Sequence, residues 1–127
     1  MKAVTQQSET EQEAMASRIV ELSNDVLSTG KTKSGYIPLK IASGPYSNVF
    51  AVRKNRISCF IRSTELLSRV RAEGFNPEEA PKTVPMNEHK FYFWGLGLDD
   101  IHSHESLFRE VVQESVRTIM DRRPKKK

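Results

Sequence analysis

The chain has 127 residues, of which 37% are hydrophobic and 28% charged, with a formal net charge of +4 and one cysteine. That length suits a single domain with a true core, and the lone Cys59 excludes an internal disulfide. No apolar run approaches the roughly 20 residues that span a bilayer. The opening Met1, Lys2, Ala3, Val4 then turns polar without a secretory pattern, so a reducing, cytoplasmic setting is expected.

The first expected element is a helix over residues 8–29. Ser8 with Glu11, or Thr10 with Glu13, makes a capping box. Met15, Ile19, Leu22 and Val26 recur at helical spacing and predict one buried stripe ending at Gly30. A short basic loop follows, with Lys31, Lys33 and Gly35. It lacks the spacing of a phosphate-binding loop and precedes a strand rather than a helix, so a nucleotide site is rejected.

Residues 36–62 read as three short strands and two tight turns. Ile37, Leu39 and Ile41 alternate with Tyr36, Pro38 and Lys40. Ile57, Cys59 and Ile61 alternate with Arg56, Ser58, Phe60 and Arg62. A period of two is the pattern of a half-buried strand. Between them, residues 48–53 are largely apolar and suit a more fully covered strand. Ser43, Gly44 and Pro45 mark the first turn, and Lys54 with Asn55 the second, Asn55 being the residue best able to adopt a left-handed backbone. Pro38 cannot donate a ladder hydrogen bond, which predicts an edge strand.

Ser63 or Thr64 then caps a short helix carrying Leu66, Leu67 and Val70 and ending at Gly74. A proline-marked loop runs to Pro85, with Lys82, Thr83 and Val84 a candidate for brief edge pairing. Residues 90–95 are too aromatic and too short to be anything but a strand, with Tyr92 and Trp94 on one face and Phe91 and Phe93 on the other. A last helix is expected over residues 103–122, capped by Ser103 and buried along Leu107, Phe108, Val111, Val112, Val116, Ile119 and Met120. The expected fold is α+β: a mainly antiparallel sheet of four or five strands, long N- and C-terminal helices packed on one face, and a short helix between strands. Residues 1–7 read as a flexible N-terminus, 8–121 as one domain and 122–127 as a basic tail.

The leading candidate site is the outward side of the third strand. Phe60 between Arg56 and Arg62 is a candidate base-stacking platform with phosphate clamps, and Arg53 and Lys54 lie on the same hairpin. Lys31, Lys33, Arg122 and Arg123 add charge. Against this stands the plain alternative that Phe60 is covered and the arginines are solvated edge charges. Arg122, Arg123 and the three lysines after Pro124 hold most of the positive excess, and they serve equally as a phosphate-binding polycation or as a solubilising end.

Two further clusters carry weaker signals. Asp99, Asp100, His102 and His104 resemble a metal set, but the histidines straddle a helix start and the same residues are good caps. Glu88 and Lys90 match the carboxylate–x–lysine step of Mg²⁺-dependent nucleases. The strands before them supply no earlier acidic partner, and His89 between them is most simply a solvated strand-end residue. No metal or cofactor is implied, and Cys59 reads as a buried inert thiol.

The succession Gly35, Tyr36, Ile37, Pro38, Leu39, Lys40, then residues 48–54, then 56–61, resembles a small bacterial α+β domain of unknown function found alone or appended to nuclease domains. The likeness covers roughly residues 12–119 in element order, with an unusually long insertion over 75–88. It implies an α+β fold near nucleic acid and no catalytic residues. The expectation is a non-enzymatic nucleic-acid-binding accessory protein, DNA or RNA. The alternative is a protein-interaction module, a small inhibitor or adaptor docking on a larger enzyme. A hydrolase using Glu88 and Lys90 is disfavoured.

Overall fold

The computed structural model describes residues 10–32, 34–43, 46, 48–81 and 87–121. In chain order these form α1 (Glu11–Leu22), β1 (Leu27–Thr29), β2 (Ile37–Ile41), β3 (Asn48–Val52), β4 (Arg56–Phe60), α2 (Thr64–Ala72), β5 (Glu78–Glu79), β6 (Lys90–Trp94), α3 (Leu98–Ser103) and α4 (Glu105–Asp121). The fold is α+β. The strands make one six-stranded antiparallel sheet in the order β1-β2-β3-β4-β6-β5. The expected count of four or five strands missed β1, read as helix, and β5, read as loop.

The N-terminal helix is shorter than its periodicity predicts. Thr10 accepts from the Glu13 amide at 3.1 Å, and the Glu13 carboxylate accepts from the Thr10 amide at 3.0 Å. That capping box starts α1 about one turn before its first core residue, Met15. The helix then breaks at Asn24 and Asp25, both left-handed (φ 57° and 65°). Short polar side chains tolerate that conformation better than most. The Ser23 hydroxyl ties the break, donating to the Val20 carbonyl at 2.6 Å and accepting from the Leu27 amide at 3.1 Å. Leu27 thereby enters the sheet, whereas Val26, expected in the buried stripe, is 42% exposed.

β1 also displaces β2 from the expected edge, pairing with it from Leu27↔Ile41 to Thr29↔Leu39. The Gly30 amide extends the contact by donating to the Pro38 carbonyl at 2.9 Å. A Cβ at Gly30 would meet Pro38 Cγ at 3.0 Å, so a side chain there would push the proline ring aside by a few tenths of an ångström. Asn55 is not among the left-handed residues, so the β3–β4 turn closes without one. Gly44 and Pro45, expected in the β2–β3 turn, and the possible pairing at Lys82, Thr83 and Val84, lie outside the described residues.

The core fills the inner face of the sheet. Phe50, Ile57, Cys59 and Phe93 meet Ile19 and Leu22 of α1, Ile101 of α3, and Phe108, Val111 and Val112 of α4. α2 reaches this layer through α4. It begins at Ser63, whose hydroxyl accepts from the Leu66 amide. It ends at Gly74 (φ 99°), with amide bonds from Gly74 to Arg71 and from Phe75 to Val70. This Schellman pattern turns Phe75 back onto Phe93 and Phe108, at centroid distances of 6.4 and 5.3 Å.

The helix expected over 103–122 is α4, and a short helix that was not expected, α3, precedes it and is parted from it at His104 (φ −125°, ψ 44°). Ser103 is therefore not a cap. The buried face of α4 is also rotated from the expectation. Met120 is 48% exposed and Val116 only partly covered, while Glu114, Ser115 and Thr118 are buried. The cause is polar. Ser115 Oγ accepts from the Phe60 amide at 3.1 Å and donates to its carbonyl at 2.9 Å. The Glu114 carboxylate accepts from the amides of Arg62 and Ser63 at 2.8 and 2.9 Å. Where β4 stops pairing, α4 satisfies its backbone, and a buried strand end requires such partners.

Candidate nucleic-acid interface

The outer face of the sheet carries a row of arginines and aromatics across four strands. Register fixes which side chains share it. Arg56 lies opposite Trp94 and Ser58 opposite Tyr92 between β4 and β6. Ala51 lies opposite Ser58 and Pro38 opposite Ala51 across β3. The Arg53 amide donates to the Arg56 carbonyl at 2.8 Å, continuing that ladder by one residue. Alternation then places Tyr36, Arg53, Arg56 and Trp94 side by side, with Pro38, Ala51, Ser58 and Tyr92 in the next row. At the usual strand spacing, the first row is about 14 Å wide.

The contacts within it are cation–π contacts. The Arg53 guanidinium lies 4.7 Å from the Tyr36 ring centroid. That of Arg56 lies 4.1 Å from Tyr92 and 5.1 Å from Trp94. The Tyr92 and Trp94 rings meet edge to face at 6.3 Å. Buried Ser58 and small Ala51 occupy the neighbouring row of the same face. Trp94 is 54% exposed.

Their aromatic contacts set Arg53 and Arg56 apart from the other described arginines. Arg18, Arg62, Arg69, Arg109 and Arg117 each pair with a carboxylate. Among the described residues, Arg53 and Arg56 have no carboxylate partner and rest on aromatic faces instead. A guanidinium held this way keeps its fork of N–H donors for an incoming anion.

The residues expected in the site are placed as follows. Exposed Lys54 lies in the turn beside Arg53 and Arg56. Exposed Lys31 lies in the β1–β2 loop, at the same end of the sheet. Gln12 ties that end together, donating to the carbonyls of Gly35 and Val52 at 3.0 and 2.8 Å. Lys33, Arg122 and Arg123 lie outside the described residues.

Two residues are corrections. Phe60 is only 5% exposed and belongs to the core cluster, so it offers no stacking face. Strand alternation does not hold there: Ser58, Cys59 and Phe60 are all buried, and Ser115 clamps the Phe60 backbone. Arg62 does not join the hairpin cluster. It lies six residues past Arg56, about 20 Å along an extended chain, and pairs with Asp121 at 2.8 Å. Tyr36 and Glu78 are the members that sequence reasoning missed. The alternation of β2 marks Tyr36 as outward, but nothing local marks Glu78. Glu78 reaches the site through β5, opposite Tyr92, and its carboxylate accepts from Trp94 Nε1 at 2.6 Å.

The weaker clusters serve packing. Asp100 accepts from the Gly97 amide at 2.9 Å and so caps α3. His104 meets the Asp100 carbonyl at 3.2 Å and Glu73 at 3.4 Å and packs edge to face with Phe75. His102 is exposed. Nearby, Arg69 and Glu110 pair between α2 and α4, and their hydrogen bonds raise the arginine pKa and lower the carboxyl. His89 is left-handed (φ 65°) and 3.7 Å from Glu88. Among the described residues, no three His, Cys, Asp or Glu side chains gather as metal ligands. Cys59 is fully enclosed, and burial pushes its thiol pKa far upward, an effect the Ser115 hydroxyl offsets only in part. No described helix is long and apolar enough to cross a membrane.

Compared with known families, curated proteins and solved structures, the chain matches none.

Proposed function

We propose that the chain is a non-enzymatic nucleic-acid-binding accessory protein that takes a single strand across the outer face of its sheet. One observation carries the reading. Arg53 and Arg56 lie on aromatic rings with no carboxylate partner among the described residues, beside exposed Trp94. Phosphates answer the guanidinium forks, and bases stack on Trp94 or on the guanidinium planes. Stacking of that kind needs unpaired bases, since a duplex covers their faces. Lys31 and Lys54 flank the row, and the basic tail adds affinity without selectivity. The resemblance to a domain that stands beside nucleases points to the same setting.

The second reading, a protein-interaction module, has one observation of its own. Val26 and Met120 are exposed along a groove they share with Val112 and Val116, between the end of α1 and α4. Apolar area of that kind suits a docking partner.

The test uses the full chain. Trp94 is its one tryptophan, so intrinsic fluorescence reports the site directly. Short single-stranded DNA and RNA should quench it in a salt-dependent way, and duplexes of the same sequence should do so far less. Absence of quenching and of anisotropy change near physiological salt refutes the reading, and leaves the groove as the surface to pursue by pull-down.

A further inference from the structure

The carboxylate of Glu78 has no place in a simple phosphate-binding surface. It sits on the face that would meet the strand, opposite Tyr92, and its repulsion opposes any phosphate that approaches. It is also oriented: Trp94 Nε1 donates to Oε1 at 2.6 Å, fixing the carboxylate at the rim of the exposed indole. Oε2 makes no other hydrogen bond among the described residues, and a carboxylate accepts only. An oriented acceptor at the edge of a stacking ring is a device for reading the edge of a stacked base.

The four bases differ in what they offer such an acceptor. Guanine presents two adjacent donors on its Watson–Crick edge, the N1 imino and N2 amino groups. Adenine and cytosine present one amino donor beside a ring-nitrogen acceptor that repels the carboxylate. Uracil and thymine present one imino donor between two carbonyls. We infer that Glu78 is a specificity-determining residue that selects guanine for the base stacked on Trp94 and disfavours uracil and thymine. The inference rests on the single-strand reading above and adds to it the identity of one base.

The experiment compares short uridine-rich single strands that differ at one central base, guanine, inosine or uracil, against the full chain. Trp94 quenching and anisotropy are read at one fixed salt concentration. Two hydrogen bonds to one base edge correspond to roughly tenfold tighter binding of the guanine probe than of the uracil probe. Inosine lacks the N2 amino group and should fall between them. Glu78→Gln preserves an oxygen that accepts from Trp94 Nε1, so the indole stays placed, and its amide ends the acceptor-only character. In that variant the guanine advantage should shrink to about twofold or less, while affinity for the uracil probe holds or rises. Equal affinity for guanine and uracil probes, or an advantage that survives Glu78→Gln, overturns the inference and leaves the single-strand reading standing. Failure of every probe to bind removes both.

Discussion

The strongest test of the interface is the double substitution Arg53→Ala/Arg56→Ala, read through salt dependence rather than affinity alone. For a single strand, log K falls against log salt with a slope of about −0.7 per phosphate neutralised. If each guanidinium contacts one phosphate, the double variant should lose about 1.4 from the magnitude of that slope. The basic tail is present in both proteins and cancels in the comparison. A hydrogen bond to a charged group contributes about 1.5 kcal/mol at the low end. Two lost contacts therefore predict weakening on the order of a hundredfold at fixed salt.

The same geometry limits the damage to folding. Both arginines are only partly buried, and cation–π contacts at such sites contribute about 0.5–1 kcal/mol each. With three such contacts the expected cost is about 1.5–3 kcal/mol, a minor part of the roughly 5–15 kcal/mol that holds a domain together. Thermal unfolding should confirm a folded variant. Arg62→Ala is the control, since that residue pairs with Asp121 beyond the far end of β4; it should leave the slope unchanged. Arg53→Lys/Arg56→Lys should keep the slope and lose affinity, because an ammonium neutralises charge but offers no stacking plane. An unchanged slope in the alanine variant, or an equal loss in Arg62→Ala, refutes the placement of phosphates on this face.

The remaining predictions concern the scaffold. Phe60→Ala should destabilise by about 3–5 kcal/mol in denaturant unfolding, a core effect that separates Phe60 from the binding row. Glu114→Ala strands the amides of Arg62 and Ser63, which Glu114 now satisfies, and should cost about 1–3 kcal/mol per unsatisfied buried group. Native Cys59 should resist thiol reagents at mildly alkaline pH and react only on unfolding. Its raised pKa means that unfolding releases a proton once pH exceeds the free-thiol value of about 8.5. Stability should therefore fall as pH rises past that value, by about 1.4 kcal/mol per unit from this group, and the fall should be absent from the Cys59→Ala profile.

Local pattern made β2, β3, β4 and β6 legible: alternation in β2 and β4, an apolar run in β3 and a short aromatic run in β6. It also separated Tyr92 and Trp94 from Phe91 and Phe93 before any pairing was known. It failed where the decisive partner lies far along the chain. Val26 and Leu27 fit a continued helix, and only Asn24, Asp25 and the Ser23 bridge turn them into a strand. The outward position of Phe60 follows from alternation, yet burial removes its exposed face. Glu78 reaches the aromatic row only through antiparallel pairing with β6. Arg62 and Asp121 are joined across the ends of β4 and α4.

That pattern also explains why the arginines divide as they do. Most of those on helices have carboxylates nearby: Arg109 with Glu105 and Arg117 with Glu114 are one turn apart, and Arg18 reaches both Glu21 and Glu105, while Arg71 on α2 is exposed. Arg53 and Arg56 flank a two-residue turn on a sheet face whose near neighbours are Tyr36, Ala51, Ser58, Tyr92 and Trp94. Among the described residues, the acid that shares that face, Glu78, is claimed by the Trp94 indole rather than by Arg56. Were Glu78 to pair with Arg56 instead, the guanidinium would be neutralised and the phosphate-binding capacity of the row roughly halved. The indole N–H thus holds the acid on the rim of Trp94, one strand away from Arg56 across β6. A Trp94→Phe substitution removes that donor while retaining a ring. It should free Glu78 to draw toward Arg56 and should lower single-strand affinity and salt slope together; a slope that stays at the wild-type value would show that Glu78 and Arg56 do not compete.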